Sequence, residues 1–180
     1  MARPKSFAIA ALLLLPPLAF ATPAEATGPN PAIDGQVLAA DRLGAVRVGM
    51  REEQLTALGL ALADEPTPDG QTTDFLACHR SRINGSAVVV MFEDLVMTRI
   101  ELDDDSIATA AGARIGTPEA QLRRLYGRSL VRVGADGPPT RYTVTSTDRR
   151  HALVFEVHDG KVNALRAGLP DAAMHGEGCR

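Results

Sequence analysis

One pattern in the chain occurs twice. Arg47-Val48-Gly49-Met50-Arg51-Glu52-Glu53-Gln54-Leu55 aligns with Arg114-Ile115-Gly116-Thr117-Pro118-Glu119-Ala120-Gln121-Leu122 at an offset of 67 residues. Each stretch then runs to a leucine and a glycine, Leu58-Gly59 in the first and Leu125 with Gly127 in the second. Further along, Met91-Phe92-Glu93 resembles Val154-Phe155-Glu156, so the two matches follow in the same order. Self-similarity at a fixed offset restricts the architecture more than composition does, because it calls for two like units.

The shared stretch has the local chemistry of a short helix. In the second copy Thr117 suits an N-cap, Pro118 the first helical position, and Glu119 the positive helix end. Gly127 can adopt the left-handed conformation that stops a helix, as Gly59 does in the first copy. Leu55 with Leu58, and Leu122 with Leu125, are three apart and share a helix face that needs cover. Strands supply it. Residues 75–83 and 87–92 flank Asn84-Gly85, a strong hairpin signal, and 96–102 continue the meander. Residues 141–146, 151–157 and 162–167 repeat that layout, with Asp159-Gly160 in the last turn. The predicted class is α+β: two tandem repeats, each a short helix packed on a roughly three-stranded antiparallel sheet.

The expected layout is a signal peptide over residues 1–26, a flexible lead over 27–40, a first unit over 41–107 and a second over 108–180. Arg3 and Lys5 precede an apolar run from Phe7 to Phe20, and Ala24-Glu25-Ala26 has the small-x-small cleavage pattern. The mature product is then expected to be periplasmic or secreted, with no membrane anchor. Without Arg3, Lys5 and Glu25 the chain has 17 basic and 21 acidic residues, which argues against a nucleic-acid partner. Lys161 is the one lysine left beyond the signal. The resulting arginine bias is read as genome composition, with no functional weight. An exported chain with two cysteines most simply joins them, so Cys78 and Cys179 are expected to form a disulfide.

The Gly49-Met50 motif, the short acidic helix closed by Gly59, and strands ending in a phenylalanine-containing hairpin resemble the superfamily of the SmpA/OmlA envelope lipoproteins and the tandem-repeat β-lactamase inhibitor proteins. A terminal Glu177-Gly178-Cys179 is similar to uncharacterised exported bacterial proteins with two such units. The resemblance spans residues 43–179 and implies a noncatalytic protein binder. The acylated cysteine of the lipoproteins is absent. So is the aromatic-rich binding face of the inhibitors, since the chain has no tryptophan and two tyrosines, Tyr126 and Tyr142.

Chemical motifs are sparse. Cys78-His79 invites a thiol–imidazole pair, but neighbours on a strand point to opposite faces. Gly127-Arg128-Ser129-Leu130-Val131 lacks the second glycine of a nucleophile elbow. His175, Glu177 and Cys179 alternate and could offer zinc ligands together with His151 or His158, though oxidation of Cys179 would remove its thiolate. Glu101, Asp103, Asp104 and Asp105 lack the spacing of a calcium loop and read as a solvated linker. Asn84-Gly85-Ser86 matches a glycosylation triplet that the hairpin already explains. The expected function is therefore an exported, noncatalytic protein-binding or envelope scaffold module, without cofactor or metal, whose partner is an envelope or secreted protein. The alternative is a small metal-dependent or hydrolytic periplasmic enzyme using the tail and sheet histidines.

Overall fold

A computed structural model describes residues 30–66, 74–134, 137–176 and 178–179. The predicted signal peptide and Glu177 lie outside the described residues. In chain order the elements are β1 (Arg42–Leu43), β2 (Val46–Arg47), α1 (Glu52–Ala57), β3 (Leu62–Asp64), β4 (Cys78–Ile83), β5 (Val88–Glu93) and β6 (Val96–Leu102). Then follow α2 (Glu119–Tyr126), a single 3-10 turn (Gly127–Ser129), β7 (Val131–Val133), β8 (Thr140–Thr145), β9 (Ala152–His158), β10 (Lys161–Gly168) and α3 (Pro170–Met174).

The two expected α+β units do not form. The described chain is mostly β, with β1 and β2 in a small ribbon and eight strands in one antiparallel sheet, ordered β3-β4-β5-β6-β10-β9-β8-β7. What overturns the expectation is the seam between β6 and β10, where Leu165 pairs with Leu102 and Gly168 with Arg99. A three-stranded meander would leave that edge with a row of unmet N–H and C=O groups, and pairing edge to edge satisfies both rows. Gly168 makes the seam possible, because a Cβ there would lie 2.2 Å from the Thr98 carbonyl oxygen. Two strands not anticipated from the sequence, β3 and β7, extend the sheet at its outer edges. The helices, of six, eight and five residues, are too short to stand alone and depend on packing.

The six longer strands fall where apolar periodicity and turn signals put them. Gly85 has φ +73° in the β4–β5 turn, and the Ser86 amide donates to the Ile83 carbonyl. The helix starts are tied to the strands they cover. Gly49 N–H donates to Met97 O before α1, and Gly116 N–H donates to Val162 O before α2. Thr117 does not cap α2. Its hydroxyl accepts from the Arg114 amide instead, closing the turn before the helix, and Pro118 occupies the capping position. Nor is the lead at 27–40 loose over its described part, since Ile33 and Leu38 are buried and Leu38 bridges to Leu43 and Thr109.

The main core lies on the face under α1 and α2, where Leu55 and Leu122 pack with Val90, Phe92, Ile100, Phe155 and Leu165. Leu125, expected beside Leu122, is exposed. Tyr126 takes that place one helical step on, tilted against Phe155 at 5.3 Å, its hydroxyl donating to Thr109 Oγ1 at 2.7 Å. Truncating Leu122, which has no exposed surface, should cost roughly 2–5 kcal/mol in chemical denaturation. A cost below about 0.5 kcal/mol would mean that α2 does not seal the core.

Candidate functional site

Side chains alternate across a strand, so the residues between the core positions must emerge on the other face of the sheet. There β4 presents Arg80, β6 Arg99 and Glu101, β10 Arg166, β9 Glu156 and β8 Arg141. Glu101 is the hub of one part. Its carboxylate lies 3.0 Å from Arg99 Nη2, 3.5 Å from Arg80 Nη2 and 3.5 Å from Arg166 Nε. Glu156 is the hub of the other, 2.7 Å from Arg141 Nε and 3.1 Å from Arg166 Nη1. The Arg166 contact is at ion-pair distance without hydrogen-bonding geometry. Among the described residues these four guanidinium groups share the two carboxylates, and Glu93 is a further negative charge that acts on Arg99.

The layer is covered. After β10 the chain turns into α3, which lies over β6, β9 and β10 and buries Ala172 and Ala173. Arg99, 1% exposed, donates through Nη1 to the carbonyls of Ala172 and His175. The tail continues across the arginines with two glycines. A Cβ at Gly176 would sit 3.2 Å from Glu156 Oε1, and one at Gly178 would sit 2.9 Å from Arg80 Cδ. The tail ends in a disulfide between Cys179 and Cys78 on β4, beside Met91 and Ala172. It is therefore a strap, anchored covalently on β4 and at the end of β10, with a buried cationic layer beneath it.

The electrostatics follow from this geometry. Burial holds the Arg99 guanidinium down at about 10; Glu101 opposes the depression, and Arg166 and Arg80 add to it. Burial also pushes the Glu156 carboxyl up, but the guanidinium groups of Arg166 and Arg141 outweigh it and leave the group below its ordinary 4.5. On the core face Glu119, at the start of α2, accepts from Tyr142 Oη at 2.5 Å and from Arg123 at 2.8 Å, and these bonds lower its pKa as well. Glu52, at the start of α1, likewise meets His79 Nε2 at 2.9 Å, and the imidazole is stacked between Phe75 and Phe92.

Glu156 and Glu119 both have depressed folded-state values, so the unfolded chain binds more protons as the solution is acidified. The stability they contribute is present above pH 4.5 and lost as pH falls through the lowered values. Denaturation midpoints should therefore drop as pH falls below about 4.5, and drop less steeply in Glu119→Gln. Parallel acid limbs for the two proteins would contradict this.

The other residues singled out in the sequence are dispersed. His151 and His158 flank β9 at opposite ends, roughly 20 Å apart at the rise of a strand. His79 is enclosed by rings on the core face, and Cys179 is a half-cystine. Among the described residues no group of three or more histidine, cysteine or acidic side chains is arranged to hold a metal ion. Nor is the acidic run a free linker. Glu101 belongs to the covered layer, Asp103 pairs with Arg82, and Asp104 accepts from the Ser106 amide. An open cleft of about 640 Å³ lies beside that run, lined in part by Asp34, Arg82, Asp103 and Asp104, and Arg82 is bonded there to Glu65 and Asp103.

The arginine layer was not foreseen from the sequence. Its signal is the insertion of charge between core residues, as in Arg99-Ile100-Glu101-Leu102, Phe155-Glu156-Val157 and Leu165-Arg166-Ala167. Among the described residues no helix is long and apolar enough to cross a membrane. No protein-family model matches this chain, and neither does any curated protein. Among solved structures, the uncharacterized protein yfeY from Escherichia coli is similar over 76% of this chain and 98% of its own, at 16% identity and a TM-score of 0.43.

Proposed function

We propose that the chain is a noncatalytic protein-binding module of an oxidising compartment, periplasmic or secreted, with an envelope or secreted protein as its partner. One observation carries this reading. Phe75, Leu76 and Leu95 are 44%, 60% and 37% exposed at one end of the sheet, where the Asp94 amide bonds the Ala77 carbonyl and brings the two loops together. Clustered large apolar side chains at a surface are characteristic of protein interfaces. The disulfide supports an oxidising compartment. The resemblance to envelope and inhibitor proteins that bind other proteins points the same way.

The test is a photo-crosslinking residue at position 76 in the exported full chain. A discrete adduct is expected, competed by excess unlabelled protein and abolished by Leu95→Asp. Diffuse labelling that Leu95→Asp leaves unchanged would refute the reading. Leu76 and Leu95 are exposed, so aspartate at either position should change stability by no more than about 0.5 kcal/mol, and loss of the adduct would not reflect unfolding.

A further inference from the structure

We propose that the C-terminal strap is a thiol-releasable cover over a second binding site, a guanidinium-lined track that takes an extended acidic peptide. Three features of the covered layer carry the inference. First, among the described residues its cations outnumber its carboxylates, with Arg80, Arg99, Arg141 and Arg166 set against Glu101, Glu156 and Glu93, the last acting on Arg99 from the end of β5. Second, Nε of Arg80, Arg99 and Arg166, together with Nη1 of Arg166, is buried without a hydrogen-bond acceptor among the described residues, although Arg99 and Arg166 are 1% and 4% exposed. Buried donors of this kind are costly and favour any arrangement that brings oxyanions to them. Third, the strap answers them weakly. Its described contributions to Arg99 are two neutral backbone carbonyls, where charge-assisted bonds to a carboxylate would be stronger.

The arginines run from β4 to β8, five strand spacings apart, so the track is roughly 24 Å long. A length of that order suits an extended peptide with several carboxylates better than a single small anion. The strap is built to leave. Its helix has five residues and buries alanines, and the bond that returns it to β4 is the disulfide. The main core lies on the opposite face and includes no residue of α3.

Release needs a reductant, and the proposal names a protein dithiol of the Cys-x-x-Cys kind. One of its thiolates attacks Sγ of Cys179, the less buried partner, and the S–S bond breaks with Cys78 leaving as a thiolate that takes up a proton. The second thiol of the reductant then displaces Cys179 from the mixed disulfide. Two electrons and two protons pass to Cys78 and Cys179, and the dithiol becomes a disulfide.

The experiment compares oxidised protein with the full-length double variant Cys78→Ser/Cys179→Ser, using a fluorescent oligoglutamate peptide at low salt. Binding should be about tenfold tighter or more in the untethered protein, and should weaken when Arg80→Gln and Arg141→Gln are added to it. In hydrogen exchange, the Leu169 and Ala173 amides should lose protection in the variant, while those of β6 and β10 keep theirs. Equal peptide affinity in the two forms would overturn the proposal. So would affinity indifferent to the arginine substitutions, continued protection of the strap, or loss of protection throughout the sheet.

Discussion

Replacing Glu101 by glutamine is expected to destabilise the protein by about 3–5 kcal/mol, the cost of removing one partner from a buried ion pair. Its side chain is 13% exposed and faces Arg80, Arg99 and Arg166. Glutamine keeps the shape but removes the charge that Arg80, Arg99 and Arg166 share. At about 2–4 °C per kcal/mol for a chain of this size, the melting temperature should fall by roughly 6–20 °C. Arg99→Met is the informative contrast. It removes a desolvated cation and leaves Glu101 paired with Arg80 and Arg166, so its cost should be clearly smaller, despite the loss of the bonds to Ala172 and His175. If Glu101→Gln cost less than about 1 kcal/mol, or no more than Arg99→Met, the layer would be solvated rather than sealed by the strap.

Cys78→Ser should remove up to ~4.7 kcal/mol under oxidising conditions, the chain-entropy value for a loop of about 100 residues. The two cysteines are 101 apart in sequence, so the bond closes most of the described chain. The sheet and its main core should persist, because the residues under α1 and α2 do not depend on the strap. Two measurements check this: the melting temperature, and thiol titration, in which Cys179 of the variant should react while the oxidised wild type shows no reactive thiol. Reduced wild type should melt near the variant. Equal thiol titres in variant and oxidised wild type would mean that the bond does not form in solution.

The elements that could be read along the chain are those set by neighbours. The β4–β5 turn follows from Asn84-Gly85, the β9–β10 turn from Asp159-Gly160, and the strands from runs such as Val88-Val89-Val90. Boundaries were less secure for the same reason. Thr117 and Pro118 both favour a helix start, and the one-residue difference was decided by the Arg114 amide, which claims the threonine hydroxyl. Leu125 illustrates the limit of periodicity. Spacings of three and four are both allowed on a helix face, and contacts with Phe155 and Thr109 select Tyr126 over Leu125.

The duplicated pattern is legible in the sequence, but it does not give two separate sheets. Two like stretches suggested two units, each with its own sheet. The pairing of Leu102 with Leu165 and of Arg99 with Gly168 instead makes one sheet from both. No local signal marks an edge strand as the one that will meet another 60 residues on, because backbone pairing is indifferent to side-chain identity apart from openings such as Gly168. The short strands β3 and β7 carried still less signal, three residues each, ordered by the neighbours they pair with.

By itself, then, the sequence determined the six longer strands and their tight turns, the two glycine-ended helices and the pair of cysteines, because propensity, turn chemistry and thiol count act over a few residues or need no geometry. The tertiary structure alone decided that the strands share one sheet, which face is sealed by helices, and that arginines from β4, β6, β8 and β10 converge beneath the strap. Convergence of that kind depends on pairings between positions as distant as Arg80 and Arg166, whose shared carboxylate, Glu101, comes from a third strand. Spacing along the chain carries no record of it until the backbone hydrogen bonds have closed.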